Sequence, residues 1–404
     1  MINSLIFLFI TIYKRTERMK SKIIRIITFH NVMNCGAVLQ LYALITFLKK
    51  KYVDVGAINY VNKKKSWIYL GFDMLFSNNK KSNLDGSKLT NYHIKDNVVK
   101  FIKKKIIQKP YFKNFTKKLI KTKKYSSDYS IQKRPPRADF YISGSDQVWN
   151  SSIIDINNET AYFLNFGSDK TKRIGYAISM GGNNFNLEYL DKIKTLINNF
   201  DSLSARELFT QEQMLKYNNK KNEIPIVLDP TLLLKSEEYD ILLKKKKIIR
   251  ERYFLSYIII DRSKLDIVKA AKDYLKIKWI DLSNYDYSLF DKKELKGPIN
   301  FLYRIKYAEY VVTNSFHGTV FSILYKKQFF TIPYTNEFAS RNARFLELLE
   351  SLELSDRVVY SYDELNRKIS SNQKINYDLV FEKLKILKQK SIDFLLNSLD
   401  MKDE

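Results

Sequence analysis

The sequence predicts an α/β protein of two doubly wound domains facing across a cleft, and three observations support this. Strand-length apolar runs alternate with segments of helical spacing in two separate blocks. The chain has 404 residues, enough for two or three domains at roughly 100–200 residues each. Glycine is scarce at eleven, and Gly36, Gly144, Gly175, Gly181, Gly182 and Gly318 fall at or near strand ends. Ligands bind outside the carboxyl ends of strands in an open parallel sheet.

In the first block, Ile23–Phe29 reads as a buried strand, Ala37–Lys51 as a helix and Val55–Tyr60 as the next strand. A basic stretch, residues 62–135, interrupts with a helix-like Asn97–Ile107. Alternation resumes with strands at Ala138–Ile142, Arg173–Ile178, Ser202–Ser204 and Ile226–Leu228, and helices at Leu187–Asn198 and Glu207–Lys216. A helical Glu237–Arg252 bridges the halves. The second block offers strands at Tyr253–Ile260, Ile277–Leu282, Tyr310–Val312 and Phe329–Pro333, between helices Lys264–Leu275, Asn300–Ala308 and Phe316–Tyr325. Helical patterns at Arg341–Ser351 and Tyr377–Leu399 close the chain. The expected division is a first domain over 20–235 carrying the basic insertion, a second over 236–375, and a terminal helix over 376–404. Residues 1–19 read as an extension, because the run Leu5–Tyr13 is too short to span a bilayer and lacks the flanks of a secretory signal. Lys20-Ser21-Lys22 leads directly into the first strand, so the native start is expected near Met19, with an interfacial anchor as the alternative.

Composition narrows the chemistry. Cys35 is the only cysteine and His30, His93 and His317 the only histidines, which excludes a disulfide framework and multi-cysteine metal sites; no metal is expected. The net charge is +27, and residues 62–135 hold 20 Lys/Arg against four Asp/Glu. That stretch has no recognisable nucleic-acid module, so no nucleic acid is expected; it suits an anionic membrane surface or substrate. Dinucleotide, Walker, zincin and nucleophile-elbow motifs are all missing.

Polar residues cluster where the strands end: Asn34-Cys35-Gly36, Gly144-Ser145-Asp146-Gln147, Ser204-Ala205-Arg206 and Asn314-Ser315-Phe316-His317-Gly318-Thr319. The last runs from a strand through capping residues into a helix, whose first N–H groups attract phosphate or carboxylate. Imidazole ordinarily titrates near 6.5, so His317 beside that anion could exchange a proton with it, as could His30. Arg206 opens a helix, where the dipole disfavours a cation, and an anionic ligand would explain it. Cys35 reads as packing.

The segments Asn34–Gln40, Ile142–Asn150, Leu228–Leu233 and Thr313–Ser322 together, in this order, resemble those of the polysaccharide pyruvyl transferase family. The resemblance spans about residues 20–350. It implies two Rossmann-like domains of the GT-B type and transfer of pyruvate from phosphoenolpyruvate to a sugar of a bacterial surface glycan. By that likeness His317 matches the acid/base histidine and Arg206 a donor-binding arginine, with Ser315, Gly318 and Thr319 beside them. Where some members have Arg-Leu-His this chain has Ser315-Phe316-His317, so Arg341, Arg344, Lys326 or Lys327 must replace a missing cation. Asn34, Gly36, Gly144, Ser145, Asp146 and Gln147 are expected to touch donor or acceptor. Phosphoenolpyruvate is then a substrate and no cofactor is implied. The acceptor would be a lipid- or nucleotide-linked sugar, and the place of work the cytoplasm or the inner face of its membrane. A nucleotide-sugar glycosyltransferase and a non-catalytic glycan- or membrane-binding relative are the alternatives.

Overall fold

The computed structural model describes residues 22–51, 54–61, 108–182, 187–220, 223–259, 264–282 and 297–401. The expected Asn97–Ile107 helix and residues 1–19 lie outside them. A six-stranded sheet is built from β1 (Ile23–Ile27), β2 (Asp54–Tyr60), β3 (Ile120–Tyr125), β4 (Phe140–Ser143), β5 (Lys172–Ile178) and β6 (Ser202–Ala205). Its order is β3-β2-β1-β4-β5-β6 and every pairing is parallel. A four-stranded sheet follows, from β7 (Tyr253–Tyr257), β8 (Lys278–Asp281), β9 (Tyr310–Thr313) and β10 (Gln328–Thr331), ordered β10-β9-β7-β8 and again parallel. The two doubly wound, Rossmann-like units are therefore present, and the first reverses direction between β1 and β4, which makes that point a natural crevice.

Helix α1 (Cys35–Lys49) follows β1, and its start is set by Asn34, whose Oδ1 accepts the N–H groups of Gly36 at 2.9 Å and Ala37 at 3.2 Å. It is apolar almost all round, which marks a helix covered on every side. It packs on the sheet, on the 3₁₀ turn Pro230–Leu233, and on two helices of the second unit, α7 (Pro298–Tyr307) and α8 (Phe316–Leu324). One apolar cluster consequently runs from Ile26 and Leu41 through Leu255 and Val320 to Leu395. A second cluster, around Trp149 stacked on Phe163, fills the other face of the six-stranded sheet.

The remaining helices are α2 (Asp128–Lys133), α3 (Leu187–Leu196), α4 (Leu208–Tyr217), α5 (Ser236–Asp240), α6 (Leu265–Leu275), α9 (Ala343–Ser351), α10 (Tyr362–Ser370) and α11 (Tyr377–Ser398). Helix α11 returns to the first unit: Leu228 N–H donates to Ser391 Oγ at 2.9 Å, Phe394 meets Tyr176, and Lys172 pairs with Asp400 at 2.7 Å.

Several expectations need correction. The basic stretch is not wholly an insertion, since its residues 120–125 form β3, the sheet edge, with Lys121, Lys123 and Lys124 exposed; charge on an edge strand opposes unwanted pairing. Ile226–Leu228 makes only an isolated bridge, Ala205 to Ile226, since flanking Pro225 cannot donate to a ladder. The bridging helix stops after α5 and a 3₁₀ turn, Ile241–Leu243; the four lysines beyond it would crowd like charges on a helix. Helix α10 went unread although its signature is plain: Ser361 Oγ accepts from Glu364 N and Glu364 Oε2 from Tyr360 N, while Leu365 and Ile369 are buried one turn apart.

Burial pushes the Cys35 thiol up to about 12, which accords with a packing role. Replacing Ser391 with alanine should leave the buried Leu228 N–H without an acceptor, costing about 1–3 kcal/mol, and a lowered thermal midpoint checks it.

Candidate active site

The carboxyl ends of β1, β4, β5 and β6 meet the turn at Asp229 and the start of α8. Asp229 is fully buried. Its Oδ1 accepts the Thr231 N–H at 3.0 Å and the Thr231 hydroxyl at 2.6 Å, opening the 3₁₀ turn. Its Oδ2 accepts from Arg206 Nη1 at 2.9 Å and from Ser145 Oγ at 3.0 Å, and lies 3.6 Å from His317 Nε2. Burial opposes its charge, but His317, Arg206 and Thr231 together outweigh burial and hold the carboxyl far below the usual carboxylate range. Three loops remote in sequence thus share one oxygen atom.

Arg206 is positioned by its own N–H, which donates to Ile178 O at 2.9 Å. Its guanidinium lies 4.7 Å above the Phe316 ring. Burial disfavours its charge, yet Asp229 and then Glu207 more than compensate and raise its pKa. Glu207 Oε2 sits 3.6 Å from Arg206 Nε, too far for a hydrogen bond, and Arg206 Nε and Nη2 stay buried with no partner. Arg344, on α9, is also buried; its Nε donates to Arg341 O at 3.2 Å. Burial first, and then the like charge of Arg206, push Arg344 down to about 10. A buried guanidinium whose pKa is lowered by burial and by a like charge, as that of Arg344 is, is one whose charged form an added anion would favour.

His317 is presented by the first turn of α8, which Ser315 caps through its Oγ and the Gly318 N–H at 3.4 Å. Nε2 turns to Asp229, while Nδ1 lies against Gly36: a Cβ there would overlap the ring. Glycine in α1 is what lets the two units close around this imidazole.

The sequence candidates divide accordingly. Arg206, Ser145, Gly36 and His317 converge, Asn34 caps α1 beside them, and the Asp146 carboxylate acts electrostatically on both Arg206 and Arg344. Arg341 adjoins Arg344, and burial lowers its pKa. Gly144 continues the ladder through its N–H to Ile27 O, and Gln147 accepts from Asn150 at 2.6 Å. His30 does not join them: it is buried, with Nδ1 3.3 Å from Thr28 O and Nε2 3.2 Å from Asn59 Oδ1, so both nitrogens are occupied and its role is packing. Lys326 stands past the far end of α8, over the Phe381 ring at 5.1 Å, where a cation suits the helix dipole but lies away from His317 in the first turn. The Thr319 hydroxyl is spent between Ser315 O at 3.2 Å and Thr331 Oγ1 at 2.9 Å. Gly318 packs on Thr313. Neither faces the cluster.

Arg344, one of the four cations expected to replace the one missing at Ser315, is the one buried beside Arg206, whereas the sequence alone assigns no role to Asp229 or Glu207. The Asp229-Pro230-Thr231 run carried a turn-capping signal, but its buried partners lie at unrelated positions. Among the described residues no group of three His, Cys, Asp or Glu side chains could hold a metal ion.

Fold and site define a two-domain α/β protein in which an imidazole, a carboxylate and buried guanidiniums meet between the domains. The chain belongs to the polysaccharide pyruvyl transferase family, whose sequence profile matches residues 34–336. A search of curated proteins returned no match. Among solved structures, UDP-GlcNAc 2-epimerase from Methanocaldococcus jannaschii is 14% identical, with 88% of this chain and 92% of that one covered and a TM-score of 0.45. The corresponding enzyme from Neisseria meningitidis bound to UDP-GlcNAc is 12% identical (93% and 100% covered, TM-score 0.47). Wall teichoic acid polymerase TagF is also 12% identical (94% and 84% covered, TM-score 0.43). These likenesses concern the course of the chain and not its chemistry.

Asp229→Asn should strand the buried Arg206 charge and destabilise the protein by about 3–5 kcal/mol, read by chemical denaturation. Because the Asp229 pKa is depressed on folding, its stabilisation is complete above the unfolded carboxyl value near 3.9 and fades as pH falls toward the folded one. The variant should therefore lose part of the wild-type pH dependence on the acid side. Gly36→Ala should displace the His317 ring and abolish activity while the fold is kept, checked by comparing turnover with circular dichroism.

Proposed function

We propose that the protein transfers the pyruvyl group of phosphoenolpyruvate to the hydroxyls of a glycan sugar. The observation that carries this is the pairing of two buried guanidiniums, Arg206 and Arg344, with His317, all within one interdomain site. Phosphoenolpyruvate brings a carboxylate and a phosphate, which the Arg206 and Arg344 side chains and the positive end of α8 suit. Arg344, with Arg341 beside it, takes the place of the cation absent at Ser315. His317 serves as the acid that protonates the enol methylene, making C2 electrophilic. Asp229 Oδ2, 3.6 Å from Nε2, keeps the imidazole oriented. Arg206 is partly neutralised by Asp229 and Glu207, so Arg344 carries much of the attraction for donor.

A lipid-linked acceptor at an anionic membrane surface agrees with the described part of the basic stretch. Lys117, Lys118, Lys121, Lys123 and Lys124 are exposed, and Asp128, the only carboxylate between 108 and 138, is turned inward to Tyr60 and Thr160. No described helix is long and apolar enough to cross a membrane.

Phosphate release from phosphoenolpyruvate that depends on a glycan acceptor is the test. His317→Ala should lower it about a hundredfold, and a variant that turns over like wild type would remove the histidine from the reaction. Tight binding of a nucleoside diphosphate with none of phosphoenolpyruvate would instead favour a nucleotide-sugar donor.

A further inference from the structure

The reaction needs a base for the acceptor hydroxyl as well as an acid for the donor, and His317 is committed to the donor. Asp146 has features that the donor site does not explain. It follows β4 at the switch point, and its φ of 76° is left-handed, a conformation that costs a non-glycine residue about 1–2 kcal/mol. Aspartate tolerates it best when its side chain bonds locally, but here only the Asp146 carbonyl does so, accepting from Val148 N at 2.8 Å. The carboxylate receives no hydrogen bond from the described residues, although the residue is 7% exposed. Its oxygens are not among the fully enclosed polar atoms, so they keep an opening to solvent. The adjacent Ser145 is locked to Asp229 through its side chain and to Thr28 through its carbonyl at 2.9 Å, and a bridge joins Asp146 to Ile178. The backbone is thus pinned on both sides while the carboxylate is left unpaired beside two arginines it does not contact. Strain maintained around an unused polar group is a mark of a working site.

We infer that Asp146 is the base that receives the acceptor hydroxyl's proton, an assignment that rests on the pyruvyl-transfer reading. As that proton passes to Asp146, the hydroxyl oxygen bonds to C2 and the C2=C3 electron pair takes a proton from His317. The C2–O bond to phosphate then breaks, the electron pair leaving with phosphate, which carries away the proton held by Asp146. A second hydroxyl closes the ketal at C2 and its proton restores His317. Two hydroxyl protons are lost, one ending on the new methyl and one on phosphate.

The test measures phosphoenolpyruvate binding by calorimetry and acceptor-dependent phosphate release, for wild type, Asp146→Asn and Asp146→Gly, each shown to unfold cooperatively. Both variants should bind phosphoenolpyruvate three- to tenfold more tightly, because a negative charge has left the neighbourhood of Arg206 and Arg344, while kcat falls at least a hundredfold. A residue that only shapes the loop would weaken binding and turnover together, and that pattern overturns the proposal. So does turnover within threefold of wild type in Asp146→Asn. If wild type itself neither binds phosphoenolpyruvate nor releases phosphate, the pyruvyl-transfer reading fails first and Asp146 loses the reaction assigned to it.

Discussion

A single carboxylate oxygen, Asp229 Oδ2, organises the centre of this molecule. An ionised group at full burial survives only if it is paired and hydrogen-bonded. Here that need is met by Arg206 from the end of β6, Ser145 from the end of β4, and His317 from the other unit. The relay extends outward, because Gln40 Nε2 donates to Thr28 Oγ1, which donates to the Ser145 carbonyl. Helix α1, two strand ends, the Pro230 turn and α8 are therefore tied to one charge. Satisfying that charge sets the distance between the imidazole and the arginines.

The same arrangement explains the closeness of the two units. The continuous apolar cluster from Ile26 to Leu395 and the return of α11 across the first sheet leave little freedom at the back of the interface. A polar contact also joins the units, Leu208 N–H donating to Glu347 Oε2 at 2.8 Å.

Charge near the pocket is finely balanced. Arg206 and Arg344 are set against Asp229, Glu207 and Asp146, so the site is not a simple basic hole. In the proposed function such a mixed site would discriminate by geometry, because an anion would have to reach Arg344 and the Arg206 Nη2, which has no hydrogen-bond partner, while avoiding the carboxylates. The proposed reaction, in which a small anion meets a neutral hydroxyl, would place those two demands on neighbouring surfaces.

Much of this was legible in the sequence. Alternating strand and helix patterns, the capping residues Asn34 and Ser315 and the glycines near strand ends are local signals, and local propensity and period predict local structure. His317 and Arg206 could be singled out because their residue types conflict with bland roles at helix starts. Strand β3 was hidden because its lysines follow a composition shared with the loops around it. His30 and Lys326 looked eligible by type and were disqualified by position, one enclosed by Thr28 and Asn59, the other at the wrong end of α8. Tertiary structure alone decided that Asp229, Arg344 and Glu207 belong with them, since a buried charge acquires its partners through chain crossings that no spacing encodes. The sequence by itself determined which segments fold and which side chains carry chemistry; the packing of one unit on the other decided which of those side chains meet.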